Sequence, residues 1–249
     1  MHIRFLSLIK SPSYLQEGDF FDFKKNKCYN IYNENKRKRL DNKTGEVQYF
    51  MLDLFKKSFA AGIMISISTI LFLLIENKII GAIFFSIGLF YICSYKMNLY
   101  TGKIGYILQT KKFKEYFLIW CGNLLGTFCS ASIFKIINPN IEKLAINLIS
   151  IKTQQNFINV FLSAFFCGIL MYLAVNNFNK KNYGIISIFL SVTVFILCGF
   201  EHSIADMSYI FLTSSFNLNL FFFILIVSFG NAIGAILINQ LTTYKKEKV

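Results

Sequence analysis

The stretch Gly230-Asn-Ala-Ile-Gly234 repeats Gly122-Asn-Leu-Leu-Gly126, 108 residues earlier. A second pair keeps nearly the same spacing, since Ala164-Phe-Phe-Cys-Gly-Ile-Leu170 follows Ser58-Phe-Ala-Ala-Gly-Ile-Met64 by 106 residues. Two matches at nearly equal offsets are the mark of an internal repeat. The fold then depends on what each copy contains.

Each copy contains three apolar stretches. The chain has 249 residues, 55% of them hydrophobic, with 29 phenylalanines and only two prolines, and a mean hydropathy of +0.50. That is too oily for a soluble domain of this length. A hydrocarbon core about 30 Å thick needs roughly 20 apolar residues per helix. Six stretches approach that length, at about 57–76, 79–95, 116–137, 156–176, 185–200 and 217–239. The repeat pairs the first with the fourth and the third with the sixth, which leaves the second and fifth, the two short ones, as partners. A unit of three spans enters on one side of a membrane and leaves on the other, so its copy runs with opposite polarity. The expected fold is an all-α membrane protein with six transmembrane helices in a 3+3 inverted repeat. Such repeats set a path near the bilayer midplane, lined by interrupted helices whose unwound backbone faces a cavity rather than lipid. Matching interruptions are present: Asn98-Leu-Tyr-Thr-Gly102 breaks the second span and Gly199-Phe-Glu-His-Ser203 the fifth.

A net charge of +13 raises the possibility of a nucleic-acid partner, but the distribution of the cations argues against one. Lys111, Lys112 and Lys114 follow the second span, Lys180 and Lys181 the fourth, and Lys245, Lys246 and Lys248 the sixth; Lys36, Arg37, Lys38 and Arg39 precede the first. The alternate connections, around Lys78, Lys143 and Asn217, are poorer in lysine. The positive-inside rule therefore puts both termini in the cytoplasm of a multi-pass protein of the cell membrane. Residues 1–50 are polar and mixed in charge and hold no compact apolar run ending in small residues, so no signal peptide is expected. They read as a cytoplasmic extension, disordered or in part an interfacial helix. A start-codon artefact is the other reading, because Met51 opens a plausible beginning of its own. Residues 51–249 are expected to form the six-helix transmembrane domain.

Ionisable groups at membrane depth are expensive and are functional candidates by default. His202 lies in the break of the fifth span and Thr101 in the break of the second, so the repeat brings them together near the centre. The bland alternative is a core histidine bonded to a neighbouring carbonyl. Glu201 and Asp206 flank the histidine; either could orient the imidazole or cap the resumed helix. Lys152, just before the fourth span, is an interfacial lysine reaching headgroups or a cation at the outer mouth of the path. The cysteines form no C-x-x-C pair and read as packing thiols. Glycines such as Gly62, Gly122, Gly168 and Gly230 allow close helix approach. No metal-ligand cluster, Walker loop, nucleophile elbow or dinucleotide fingerprint is present, so neither an enzyme nor a bound metal or cofactor is expected.

These residues resemble a known family. Gly199-Phe-Glu-His-Ser-Ile-Ala-Asp-Met207 is similar to the G-F-E-H-x-[VI]-A-N-M signature of the formate/nitrite transporters, and Leu99-Tyr-Thr-Gly102 resembles their L-F-T-G break. Lys152-Thr-Gln-Gln155 and Gly230-Asn-Ala-Ile-Gly234 resemble their fourth and sixth segments, and the similarity covers roughly residues 52–245. The resemblance implies an aquaporin-like fold and a homopentamer in which each protomer holds its own pore for a small monovalent anion. It also implies site residues: Thr101 and His202 at the centre with Asn231 nearby, Lys152 in the outer vestibule, and apolar constrictions at Phe85, Leu89, Leu99, Tyr100, Met171 and Phe195. The chain departs from the pattern at Asp206, where Asn is usual, at Tyr100, where Phe is common, and at Gly168.

The solvation energy of an ion suggests a mechanism. Moving a bare carboxylate into an apolar constriction costs tens of kcal/mol in a Born estimate, and the neutral acid avoids most of that. The expected function is passage of formate, nitrite or hydrosulfide together with a proton shared through His202 or a bridging water. The rival is an aquaporin-like pore for small neutral solutes, whose Asn-Pro-Ala signatures are absent here.

Overall fold

The computed structural model describes residues 44–178 and 183–243. The basic residues at 36–39, 180–181 and 245–248, and most of the expected N-terminal extension, lie outside the described residues. Among the described residues every regular element is helical. Four helices are long and apolar enough to cross a bilayer: α1 (Thr44–Leu74), α5 (Phe113–Ile137), α7 (Phe157–Phe178) and α10 (Leu218–Thr242). They correspond to the first, third, fourth and sixth expected spans. The second and fifth are each split. α2 (Lys78–Ser94) is followed after a break by α3 (Tyr100–Lys103), a 3-10 turn at Ile104–Tyr106 and α4 (Ile107–Thr110). α8 (Gly184–Leu197) is followed after its break by α9 (Ser203–Leu212). At 1.5 Å per residue, the 17 residues of α2 and the 14 of α8 reach only about 26 and 21 Å, which is why both read as short.

The two breaks are built alike, position for position. In the first, Lys96 N–H donates to Cys93 O and Met97 N–H to Ile92 O; in the second, Gly199 N–H donates to Ile196 O and Phe200 N–H to Phe195 O. Each pair of bonds closes a helix C-terminus of the Schellman type, which needs a left-handed residue after the last turn. Lys96 supplies it at φ +54° and Gly199 at φ +67°. A Cβ added at Gly199 would meet nothing within 4 Å, so any cost there comes from the backbone alone. Gly199→Ala is therefore expected to lose about 1–2 kcal/mol of stability, and Lys96→Gly to gain on the order of 1 kcal/mol. Unfolding of the detergent-solubilised protein measures both.

The halves also pack alike. α1 lies along α5 as α7 lies along α10. A Cβ on Gly62 would strike the backbone carbonyl of Asn123, and one on Gly168 that of Asn231; only glycine permits so close an approach. The halves interlock as well. α3 packs on α7 and α10 of the second half, and α9 on α1 and α5 of the first.

The structure differs from the hydropathy reading in two places. α1 begins at Thr44 and runs unbroken through Met51, well ahead of residue 57. Its early turns are polar, joined by an ion pair between Lys57 Nζ and Asp53 Oδ2 at 2.9 Å, and a search for apolar runs passes over them. α6 (Ile141–Thr153) lies between the third and fourth spans. It buries Ile141, Ala145 and Ile149 while Glu142 and Lys143 sit on the same helix, the pattern of an amphipathic helix rather than a span.

Candidate functional site

Both breaks are held by an asparagine of the repeated Gly-Asn-x-x-Gly segment. Asn231 Oδ1 accepts from Ser203 N–H at 2.9 Å, and its Nδ2 donates to Glu201 O and to Ala164 O, each at 2.8 Å. Asn123 does the same in the other half: Oδ1 accepts from Tyr100 N–H at 2.8 Å, while Nδ2 donates to Asn98 O at 2.8 Å and Ser58 O at 2.7 Å. Both side chains are fully buried. Each satisfies the peptide groups that an interrupted helix leaves without partners, which is the condition for keeping unwound backbone at membrane depth.

Held this way, the starts of α3 and α9 present Thr101 and His202 to each other. Thr101 Oγ1 lies 2.8 Å from His202 Nε2, and both residues are buried. His202 is also the N-cap of α9, its Nδ1 accepting from Ala205 N–H at 3.0 Å. That bond assigns the tautomer. With the Nδ1 lone pair occupied, the neutral ring carries its hydrogen on Nε2 and donates to Thr101. The threonine keeps its own hydroxyl hydrogen to offer elsewhere. Charging the ring would set an Nδ1 hydrogen against the Ala205 N–H and remove the cap.

Aromatic rings close around this pair. The Phe195 ring stacks on His202 with centroids 5.6 Å apart, and Phe85 meets Phe195 edge-on at 5.7 Å. Phe85, Leu89, Leu99, Met171 and Phe195 are all buried in one apolar cluster. Tyr100, half-buried, packs on that cluster and turns its hydroxyl to Ser228 O at 3.3 Å, while Trp120 Nε1 bonds Ser228 Oγ at 3.0 Å.

The charged candidates gather separately. Lys152 Nζ bonds Glu201 Oε2 and lies 3.1 Å from Asp206 Oδ1. The lysine side chain is 12% exposed and the two carboxylates are buried. Gln155 Nε2 donates to Glu201 Oε1 at 3.3 Å. Neither acid therefore orients the imidazole or caps α9; both face the lysine. A cavity of about 640 Å³ is lined by Gln155, Thr153, Ser150, Thr213 and Asn217 among others, and reaches the cluster through Gln155 alone. Sequence reasoning passed over Asn123, although the repeat carries an asparagine at that position in both copies. It also passed over Gln155 as a partner of Glu201, a contact that joins residues 46 apart and leaves no local pattern.

The sequence profile of the formate/nitrite transporter family matches residues 37–245. The chain belongs to that family. Among solved structures it is similar to a pentameric formate channel with formate bound, at 20% identity and a TM-score of 0.70 over 78% of this chain and 96% of that one. It is also similar to an FNT family ion channel, at 19% identity and a TM-score of 0.67 over 76% of this chain and 88% of that one. At these identities the likeness is one of fold. A comparison with curated proteins returns no match. The chain is thus a multi-pass membrane protein of a transporter family, with the all-helical channel fold and the two broken helices expected of it.

Proposed function

We propose that this protein conducts a small monovalent weak-acid anion, of the class of formate, nitrite or hydrosulfide, together with a proton through a pore within each protomer. The carrying observation is the buried Thr101–His202 hydrogen bond, 2.8 Å long, roofed by the Phe195 ring. It is a polar point inside an otherwise apolar passage. A bare anion meets a desolvation cost of tens of kcal/mol at Phe85 and Phe195, whereas its neutral acid passes and finds a hydroxyl donor at Thr101. The ring stays neutral during passage because both of its nitrogens are engaged, so the proton travels on the acid. Protonation then occurs before the waist and release after it. The Lys152 cluster stands on the approach, and Leu89, Leu99, Tyr100 and Met171 complete the apolar walls. Asn231, with Asn123, fixes the backbone that carries the pair.

The same reading includes a homopentamer, halves of opposite orientation, both termini in the cytoplasm, and the segment ahead of α1 as a cytoplasmic extension. Purified protein in liposomes tests the function. Formate uptake is expected to rise when the interior is made alkaline, and His202→Leu is expected to cut it roughly ten- to a hundredfold, the value of one buried hydrogen bond of 1–3 kcal/mol. Uptake indifferent to the proton gradient would replace this mechanism with a plain anion channel. Faster passage of a neutral solute than of any anion would replace it with an aquaporin-like pore.

A further inference from the structure

The ionisable side chains beside the waist do not balance. One lysine, Lys152, faces two buried carboxyl groups, Glu201 and Asp206. Glu201 has donors on both oxygens, Lys152 on Oε2 and Gln155 on Oε1. Asp206 is fully buried, and neither of its oxygens accepts a hydrogen bond among the described residues. Its polar neighbours are the lysine ammonium, 3.1 Å from Oδ1, and the Glu201 carboxyl. If all three groups were charged the cluster would carry a net −1 away from water, and an uncompensated buried ion costs several kcal/mol.

A single proton removes that cost, and the contacts say where it sits. Glu201 already has both oxygens bonded, one by a cation and one by an amide. Asp206, with Oδ2 bare, is the better acid. Among the described residues no second cation lies within ion-pair distance of Asp206. Coulombic influence on Asp206 comes from Lys152 and Glu201. Tyr209 of α9 lies beside the cluster, with Lys152 Nζ 5.9 Å from its ring centre, and Cys167 of α7 is buried nearby. α10 carries no acid or base. His202, one turn earlier on the same helix, accepts Asp206 N–H at its carbonyl, 2.9 Å away, and its ring is occupied.

We infer that Asp206 is a resident carboxylic acid of the Lys152–Glu201–Asp206 cluster and that it donates its proton to the weak-acid anion arriving at the waist. The inference rests on the transport reading above and supplies its proton source. In the step, the Asp206 O–H bond breaks and an O–H bond forms on the anion, or an S–H bond where the anion is hydrosulfide. The neutral acid moves on, and the new Asp206 carboxylate is held by Lys152. Water entering by the cavity that Gln155 lines returns a proton to Asp206. No electrons are transferred.

Two measurements on the full-length protein test this. In liposomes with formate as the probe, the alkaline fall-off in flux is expected to move to lower pH by about one unit in Asp206→Asn, so that flux at the alkaline end drops roughly tenfold; Asp206→Glu keeps the original profile. By infrared spectroscopy, a protonated-carboxyl C=O band is expected near neutral pH. Carboxyl-13C aspartate shifts it, labelled glutamate leaves it in place, and Asp206→Asn abolishes it. An unchanged pH profile in Asp206→Asn overturns the donor role. A band that follows labelled glutamate, or no band at all, overturns the resident acid. Wild-type protein that moves no formate, nitrite or hydrosulfide overturns the transport reading itself, and the infrared band is read independently of it.

Discussion

Replacing Lys152 with methionine is expected to destabilise the protein by about 3–5 kcal/mol, the usual cost of removing one partner from a buried ion pair. The substitution preserves most of the side-chain volume, so a cavity contributes little. What it removes is the sole ammonium in contact with Glu201 and Asp206 among the described residues. The contrast with the acids is the diagnostic. Glu201→Gln and Asp206→Asn each leave Lys152 with one carboxylate, a neutral pair, so each is expected to cost no more than about 1 kcal/mol. The triple variant Lys152→Met, Glu201→Gln, Asp206→Asn has no charge left to compensate and is expected to recover most of the loss. Denaturant titration in detergent micelles measures the series. Equal costs for Lys152→Met and Glu201→Gln would mean that the cluster acts by packing and not by charge balance.

This cluster also marks where the sequence stopped being readable. The helix breaks were legible because Asn98-Leu-Tyr-Thr-Gly102 and Gly199-Phe-Glu-His-Ser203 interrupt long apolar runs with polar and glycine residues. Their pairing was legible because the flanking helices repeat. Thr101 and His202 followed from the pairing, since the two breaks of interlocked halves come together, although the two residues stand two places apart in the register of the breaks. Lys152 carried no such mark. By hydropathy it sits at the edge of a span, where lysines commonly snorkel, and its partners are 49 and 54 residues further along the chain. α6, which carries it, is amphipathic and shorter than a span, so a search for long apolar runs skips it. Glu201 and Asp206 were visible as charges beside the histidine, but the direction in which they point depends on α6 folding back over α9, and one sequence records nothing of that packing.

The two asparagine clamps give the second large effect. Asn123→Leu and Asn231→Leu keep the volume of the side chain but remove three hydrogen bonds apiece, all to buried backbone groups of a break and of the neighbouring long helix. A buried peptide group left without a partner costs about 1–3 kcal/mol, and lipid offers no substitute. Each variant is therefore expected to lose at least about 3 kcal/mol. Asparagine to aspartate should fare no better, because it sets an oxygen against two carbonyls where an amide donated. The symmetry of the contacts makes a sharper demand. The two leucine variants remove chemically equivalent bonds, so their costs are expected to agree within about 1 kcal/mol, and neither loss is relieved by changing the other asparagine. Their effects on flux are expected to differ in kind from that of His202→Leu: both Thr101 and His202 remain, but the backbone segments carrying them lose their anchor, so formate uptake falls in each. Retained stability with lost uptake in only one of the two would show that the halves, alike in their contacts, do not support the waist equally.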